Sequence, residues 1–296
     1  MCIICDTTDI STLVDLTQLD CSWCPYLTSI PDTLVNLKIL VCDNCHQLTS
    51  IPNTLVTLTD LYCYECYKLT SIPDTLVNLK ILECAYCYLL TSIPDTIVNL
   101  TELNCIKCSL TNIPDTLINL KELYCDDCQL LTSIPDTLIN LINLHCRYCH
   151  LLTIIPDTLV NLTNLFCSEC KLLTSIPDTL INLVNLFISE CKLITVIPQT
   201  FVNLKYLDCY NCSLILCIPN TLINLKELYC SKCPWINKVK DKNISKLITI
   251  QRSAKKYIKY RIFSRWIKSK NGVEWIYHPD NIGGKMAKRE IEKMFK

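Results

Sequence analysis

Residues Ile72–Ser92 read IPDTLVNLKILECAYCYLLTS, and close variants of this stretch fill most of the chain. The copies share the framework I-P-x-T-L-x-x-L-x-x-L-x-C-x-x-C-x-x-L-T-x. The prolines that open the copies are Pro31, Pro52, Pro73, Pro94, Pro114, Pro135, Pro156, Pro177, Pro198 and Pro219. Each step in this series is 21 residues, except for the step of 20 between Pro94 and Pro114. A fixed period of this length indicates a solenoid in which each copy forms one turn.

The spacing within a copy predicts how the turns pack. In Leu82-Glu83-Cys84 the leucine and the cysteine are two residues apart, so on a strand they point to one face. One unit cannot bury these residues alone, but stacked units bury a continuous core. The proline is suited to a turn that starts a short helical or 3₁₀ segment on the opposite side. We therefore expect an α/β solenoid of about eleven units over residues 1–233, with a cap-like unit at 1–16.

The segment Leu82–Cys87 resembles the highly conserved segment of the leucine-rich-repeat family, L-x-x-L-x-L-x-x-N/C-x-L. The first cysteine stands at a leucine position, and the second stands at the Asn/Cys position. The resemblance implies parallel strands on a concave face and a scaffold for protein–protein interaction. Among such proteins the I-P-D-T-L and C-x-x-C units are most similar to those of mimivirus-like giant viruses. That similarity would make this a viral protein that engages a host factor.

The chain contains 24 cysteines, most of them in C-x-x-C pairs that recur once per unit. The first cysteine is replaced by Ile188 in one unit, whereas Cys191 is retained there. Isoleucine can pack but cannot bind a metal or form a disulfide, so the first column is interpreted as small core residues. A zinc or iron–sulfur site and regulatory disulfides are the alternatives, but the pairs recur in a column and do not form the compact knuckle of two pairs that is a strong signal for zinc. We expect no metal and no cofactor.

The residues between the inward-facing positions vary and are rich in aromatic and acidic side chains. Aromatic residues are common interface anchors, and an acidic surround favours a basic partner. We predict a partner-binding concave face, against the alternative of a solvated sheet face. The predicted binding residues are Trp23, Tyr62, Tyr64, Glu65, Glu83, Tyr86, Tyr124, Asp126, Asp127, Tyr148, Phe166, Phe187, Tyr210 and Tyr229.

The zero net charge hides two oppositely charged parts. Residues 1–233 carry 11 Lys and Arg against 23 Asp and Glu, whereas residues 234–296 carry 17 against 5. Residues 234–296 are predicted to be a basic helical C-terminal segment, in which 244–268 reads as an amphipathic helix. This helix could cap the array, or it could bind calmodulin, a membrane surface or nucleic acid. In that second hypothesis the repeats act as a spacer. Ile250–Lys255 resembles the opening of a calmodulin-binding IQ motif.

Other functional classes find little support in the sequence. The three glycines all lie beyond residue 271, which disfavours P-loop and dinucleotide-binding sites in the repeats. Cys146 and Cys149 are flanked by His145 and His150, but Cys146 is predicted to point into the core. No acid–base pair or catalytic triad stands out, so we expect a protein without enzymatic activity. The start has no signal-peptide pattern and no apolar run is long enough to span a membrane, so we expect a cytoplasmic location.

Overall fold

The computed structural model describes residues 13–233 and Ile4. Each unit contributes one strand of three residues, because only the L-x-C segment and its neighbours alternate between buried and outward positions. The strands are β1 (Gln18–Asp20), β2 (Ile39–Val41), β3 (Asp60–Tyr62), β4 (Ile81–Glu83), β5 (Glu102–Asn104), β6 (Glu122–Tyr124), β7 (Asn143–His145), β8 (Asn164–Phe166), β9 (Asn185–Phe187), β10 (Tyr206–Asp208) and β11 (Glu227–Tyr229).

The eleven strands form one parallel sheet in chain order. Each strand pairs with the next in register, so that Leu40 lies opposite Leu19 on one side and Leu61 on the other. The same register continues to Leu228 at the last strand. As a result, equivalent residues of successive turns form straight columns, and each column contains the residues at one position of the repeat.

Seven columns make up the core, and all of them carry leucine, isoleucine or cysteine with little variation. In the fourth turn these residues are Leu82, Cys84, Cys87, Leu90, Ile93, Ile97 and Leu100. Phe201 replaces the smaller side chain in one column and is fully buried there. A run of identical buried positions lets each turn cover the apolar surface of its neighbours.

The side of the turn opposite the strand differs from the prediction. The α/β assignment is wrong for the described residues, since no helix forms between 14 and 233. Instead the chain makes two successive tight turns, with Leu76 N donating to Pro73 O at 3.4 Å and Leu79 N donating to Leu76 O at 3.1 Å. The fold is therefore a parallel β-solenoid of about ten to eleven turns. The predicted helical segment at 234–296 and the cap-like unit at 1–16 lie largely outside the described residues.

Two polar ladders hold this outer side together, and both use backbone carbonyls of the preceding turn. The threonine of each I-P-x-T segment donates through Oγ1 across one turn, as Thr158 does to Asp136 O at 2.6 Å. The asparagine that follows donates through Nδ2, as Asn161 does to Ile139 O at 2.9 Å. Thr57 stands in the asparagine column and still donates to Val35 O at 2.8 Å. Each of these bonds satisfies a backbone carbonyl. In a helix the same carbonyl would instead accept a hydrogen bond from a backbone N–H of its own segment.

The short fifth turn interrupts the regularity at its edge. It lacks one residue between Cys108 and Leu110, yet both of these side chains remain buried. Next to the missing residue is a notch of about 360 Å³ lined by Tyr88, Lys107 and Leu130, among others. The core columns are thus unaffected by the deletion. In the described part of the chain no helix is of the length and apolarity that a membrane span requires.

Candidate protein-binding face

The outward side chains of the sheet define what is here called the strand face. It comprises the first and third residues of each strand and the two residues between the cysteine positions. The strands from β2 to β10 have a buried central residue between two partly exposed ones. The predicted binding residues occupy the third strand position and the two positions between the cysteines. The first strand position was missed by the sequence analysis, although it lies on the same face.

The second of the two intervening residues has a left-handed backbone in every turn. These residues have φ between 54° and 63°, and none of them is glycine. Their N–H groups donate to the next turn, as Glu169 does to Ser189 O at 2.8 Å. The left-handed residue reverses the chain so that the following cysteine points inward. The affected residues are Trp23, Asn44, Glu65, Tyr86, Lys107, Asp127, Tyr148, Glu169, Glu190, Asn211 and Lys232.

The two cysteine columns have different roles beneath this face. A thiol of the second column donates to the carbonyl of the first-column residue in the preceding turn, as Cys191 Sγ does to Cys167 O at 3.0 Å. Ten such bonds run along the array at 3.0–3.2 Å. Cys212 donates to the backbone of Ile188, which explains why isoleucine is accepted in the first column. The first column therefore mainly packs the core, although four of its thiols also donate to a carbonyl of the next turn at 3.2–3.4 Å, whereas the second column is a continuous hydrogen-bonding ladder.

Burial also determines the chemistry of the first-column thiols. Hydrogen bonding with Cys66 and burial raise the pKa of Cys42 well above its usual range. The pKa of Cys63 is raised in the same way by Cys87 and by burial. High pKa values disfavour the thiolate, which is the reactive and metal-binding form. In the described residues no group of three or more His, Cys, Asp and Glu side chains is arranged to hold a metal ion.

Four rings form a continuous stack on the third strand position of turns six to nine. The centroids of Tyr124 and His145 are 4.7 Å apart, those of His145 and Phe166 are 4.1 Å apart, and those of Phe166 and Phe187 are 4.5 Å apart. The last two rings are nearly parallel, at 9°. The Arg147 guanidinium lies 4.8 Å from the centroid of Phe166. The two phenylalanines are half-buried because they cover each other.

A second aromatic group lies on turns three and four. Tyr64 meets Tyr86 edge to face at 5.3 Å, and Tyr86 meets Tyr88 at 6.2 Å. Tyr67 stacks on Tyr88 at 5.5 Å and donates its hydroxyl to Glu65 at 2.9 Å. The hydrogen bond with Glu65 is the main reason that the pKa of Tyr67 rises to about 12. Tyr67 and Tyr88 directly follow the second cysteine of their turns and are not among the binding residues predicted from the sequence.

Carboxylates surround Tyr62 on turn three, beside the second aromatic group. Burial first, and then the charges of Asp60, Glu102, Glu83 and Asp43, raise the pKa of Tyr62. Burial likewise raises the pKa of Asp43 and that of Glu83. Within residues 13–233 these four carboxylates form no ion pair with a Lys, Arg or His side chain. The first half of the strand face thus carries unneutralised negative charge.

The remaining predicted residues are spread along the same face. Asp126 accepts a hydrogen bond from Arg147 N at 2.6 Å, and Asp127 Oδ2 lies 3.9 Å from Lys107 Nζ. Trp23 and Tyr148 are exposed, and Trp23 makes no ring contact with another described residue. The structure therefore brings together Tyr62, Tyr64, Glu65, Glu83 and Tyr86 as one group and Tyr124, Phe166 and Phe187 as another, while Tyr210 and Tyr229 lie at the far end.

The missed first strand position carries an amide ladder beside the ring stack. Both carboxylate oxygens of Glu122 accept from Asn143 Nδ2, at 2.6 and 2.7 Å. Asn143 in turn accepts from Asn164, and Asn164 accepts from Asn185. The sequence signal for this ladder is a set of three asparagines spaced 21 residues apart. Each of them stands immediately before the leucine at the centre of its strand. This ladder joins turns six to nine, the same turns that carry the ring stack.

Comparisons with known proteins agree with this architecture. The Leucine Rich Repeat family model matches residues 119–141 and 203–225. No curated protein sequence matches the chain, so the expected relationship with giant-virus proteins is not supported.

Solved structures with the same fold share between a fifth and a quarter of their residues with this chain. The leucine-rich repeat domain of the type III effector XCV3220 (XopL) is 21% identical, with 69% of this chain and 76% of that chain covered and a TM-score of 0.55. The functional domain of InlJ from Listeria monocytogenes, described as including a cysteine ladder, is 22% identical, with 76% and 60% covered and a TM-score of 0.53. The PEPR1–AtPEP1 structure is 23% identical, with 74% and 39% covered and a TM-score of 0.51. The chain therefore has the leucine-rich-repeat fold, and two of its own units match the sequence model of that family.

Proposed function

We propose that this protein is a non-enzymatic scaffold whose strand face binds a basic surface of another protein. The observation that carries the proposal is the combination of aromatic side chains and unneutralised carboxylates around Tyr62, on turns two to five. Tyrosines supply large contact areas at a small entropic cost, which makes them frequent interface anchors. Carboxylates without a cation of their own favour encounter with a positively charged partner.

The regularity of the array supports the same function. A solenoid presents an extended surface whose framework is constant and whose outward residues vary, and such surfaces are typical of protein–protein interaction. The PEPR1–AtPEP1 structure contains a chain with this fold, although only 39% of that chain is covered. If the protein is viral, a host protein is the expected partner.

The test is an affinity capture with the full chain as bait, in cell lysate under reducing conditions. The variant replaces Tyr62, Tyr64, Tyr86 and Tyr124 with alanine. The matched control replaces four exposed residues on the opposite side of the array with alanine: Val56, Val77, Val98 and Ile118. A captured protein should then be confirmed with purified components. Removing several anchors that each contribute more than about 1 kcal/mol is expected to weaken binding at least 100-fold.

The two outcomes are distinct. Loss of the partner with the tyrosine variant, but not with the control, supports the strand face as the binding site. A partner that binds both variants equally contradicts the proposal. Replacing Lys255, Lys256 and Arg261 with glutamate examines the competing hypothesis, in which 244–268 binds calmodulin, a membrane surface or nucleic acid. Loss of binding with only this basic-segment variant would make the repeats a spacer.

A further inference from the structure

We propose that Phe187, Asp208 and Tyr229 form a socket for the guanidinium group of an arginine of the partner. This inference rests on the proposed function, because it names one side chain that the strand face would receive. The three residues occupy the third strand position of turns nine, ten and eleven. They are directly adjacent in the sheet, since Phe187 pairs with Asp208 and Asp208 pairs with Tyr229.

The ring stack supplies the first wall of the socket. Its rings repeat once per turn at 4.1–4.7 Å, close to the spacing of neighbouring strands. The stack ends at Phe187, because the next residue in the column is Asp208 and not another ring. One face of Phe187 is covered by Phe166. Its other face is directed toward turn ten.

Tyr229 supplies the opposite wall. It lies two turns after Phe187, and two strand spacings amount to about 10 Å. Asp208 between them has a short side chain and leaves room above its carboxylate. One planar group placed midway would lie about 5 Å from each ring, close to the spacing that the stack already uses. Tyr229 is 56% exposed, so this wall can be reached from solvent.

The carboxylate of Asp208 forms the floor. Its Oδ1 accepts a hydrogen bond from Tyr210 N at 3.0 Å, which fixes the side chain. Within residues 13–233 Asp208 has no ion-pair partner. The nearby Lys232 instead places its Nζ 5.1 Å from the centroid of Tyr210, on one side of the socket. A cation entering above Asp208 would therefore meet an unneutralised negative charge between two aromatic walls.

The shape of the socket favours arginine over lysine. A guanidinium is planar, stacks on aromatic faces and donates two parallel hydrogen bonds to a carboxylate, whereas an ammonium is a compact point charge. The same array already contains one contact between a guanidinium and a ring, because the Arg147 guanidinium lies 4.8 Å from the centroid of Phe166. Cation–π contacts of this type strengthen when the cation is partly desolvated. An incoming arginine would continue the ring stack across the gap at Asp208.

The test is an NMR titration of the full, isotope-labelled chain with N-acetyl-arginine amide. The probe should shift resonances of Phe187, Asp208 and Tyr229 with a millimolar Kd, as expected for a single side chain. N-acetyl-citrulline amide has nearly the same shape without charge, and N-acetyl-lysine amide has the charge without the plane. Both should bind at least fivefold more weakly. Equal shifts with all three probes would contradict the socket, as would an arginine response located elsewhere.

The variants separate the socket from general electrostatics. Asp208→Asn should weaken arginine binding about tenfold, in line with the loss of a charge-assisted hydrogen bond. Asp20→Asn is the matched control, because Asp20 occupies the same column but its neighbour in the next turn is Val41. Tyr229→Ala should weaken binding while leaving the Asp208 carboxylate in place. A control variant that binds as weakly as Asp208→Asn would refute the socket.

Failure of this inference and failure of the proposed function are distinguishable. The capture experiment uses tyrosines on turns three, four and six, none of which belongs to the socket. A partner that depends on those tyrosines, together with no arginine response at Asp208, contradicts only the socket. An arginine response at Asp208, without any partner that depends on the strand face, contradicts only the scaffold function.

Discussion

At the scale of single residues, the left-handed position before each second cysteine is the most constrained feature of the chain. Side chains with a Cβ disfavour this conformation, and β-branched side chains disfavour it most. No valine, isoleucine or threonine occurs among the eleven residues, although they include tryptophan, tyrosine, lysine and glutamate. The preceding position has an ordinary backbone and accepts Ile106. The column therefore excludes residues by backbone conformation and not by polarity.

Substitution of Glu169 provides a direct test of this constraint. Glu169→Val should lower the free energy of unfolding by about 1–2 kcal/mol, because valine strains the left-handed backbone. Glu169→Asn should raise it slightly, since asparagine tolerates this conformation. Ser168→Val is the neighbouring control and should have little effect. The measurement is urea unfolding, and equal losses for the two valine variants would rule out the backbone explanation.

His145 in the ring stack makes stability depend on pH. Burial first, and then the charge of Arg147, lower the pKa of His145 from 6.5 to about 4. The imidazole is therefore neutral at pH 7, and its 4.0 Å approach to Asp126 is not an ion pair there. The unfolded chain binds this proton near pH 6.5, and the folded chain binds it only near pH 4. Stability from this group is thus complete above about pH 6.5 and decreases as the pH falls toward 4.

The variant His145→Phe should reduce this loss, because phenylalanine continues the stack and does not titrate. The raised pKa values of Asp43, Glu83 and Asp126 act in the opposite direction, since the folded chain binds those protons more readily. Asp43 and Glu83 lie on turns two and four, away from His145, and contribute equally to both proteins, so the difference between wild type and variant reports on His145 and its neighbour Asp126. Urea midpoints at about pH 7 and pH 5 provide the comparison. If the urea midpoints of wild type and His145→Phe fell by the same amount between about pH 7 and pH 5, the pH dependence could not be assigned to His145.

At the scale of structural elements, the two cysteine columns predict different tolerances to the same substitution. Cys167→Val changes a packing residue whose neighbour in the next turn is already Ile188. Cys170→Val removes a thiol that donates to Cys146 O at 3.0 Å. The second variant should lose about 1 kcal/mol more stability than the first, the usual net value of a buried hydrogen bond. Urea unfolding under reducing conditions measures both, and equal losses would contradict the ladder.

The strand elements and the core columns could be predicted from the sequence, because period-two burial in L-x-C and the repeat of 21 residues leave few alternatives. The helical segment opposite the strand was predicted wrongly. A proline followed by polar residues suits the start of a helix and a tight turn equally well, and the choice depends on ladder bonds to the preceding turn, such as Thr158 to Asp136 O.

The strand face was predicted only in part. Its third-strand and intervening residues follow from the alternation, whereas the amide column at Asn143, Asn164 and Asn185 was overlooked. The position with the left-handed backbone contains no glycine in any described turn, so its residue types do not indicate its conformation. The grouping of rings depends on register and on distances between turns. The sequence of one repeat unit does not specify the distances between turns.

At the scale of the whole molecule, the straight columns also bring like charges together. The residue after each opening proline is most often aspartate, and the column contains Asp32, Asp74, Asp95, Asp115, Asp136, Asp157 and Asp178. These side chains lie on the outer side of the tight turns, where successive turns are neighbours. Like charges at such spacing destabilise the folded array.

Neutralising one central member should therefore be stabilising. Asp136→Asn, with Asp115 and Asp157 in the adjacent turns, is expected to raise the urea midpoint at low ionic strength. The gain should shrink when salt screens the repulsion. Asp32→Asn is the matched control, because Asn53 occupies the adjacent position in the next turn and the gain there should be smaller. Equal gains at both positions, or gains that do not depend on salt, would contradict the electrostatic explanation.

The ladders have a further consequence for how such a chain changes in evolution. Most bonds between turns end on a backbone carbonyl, and carbonyls are the same in each copy. A gene segment encoding one 21-residue copy can therefore be lost or duplicated, and the flanking copies then meet the same acceptors as before. The number of turns in the array can therefore change in evolution by whole repeat units. Recombination between near-identical copies can change the number of turns between the ring stack and the aromatic group on turns three and four without altering the core.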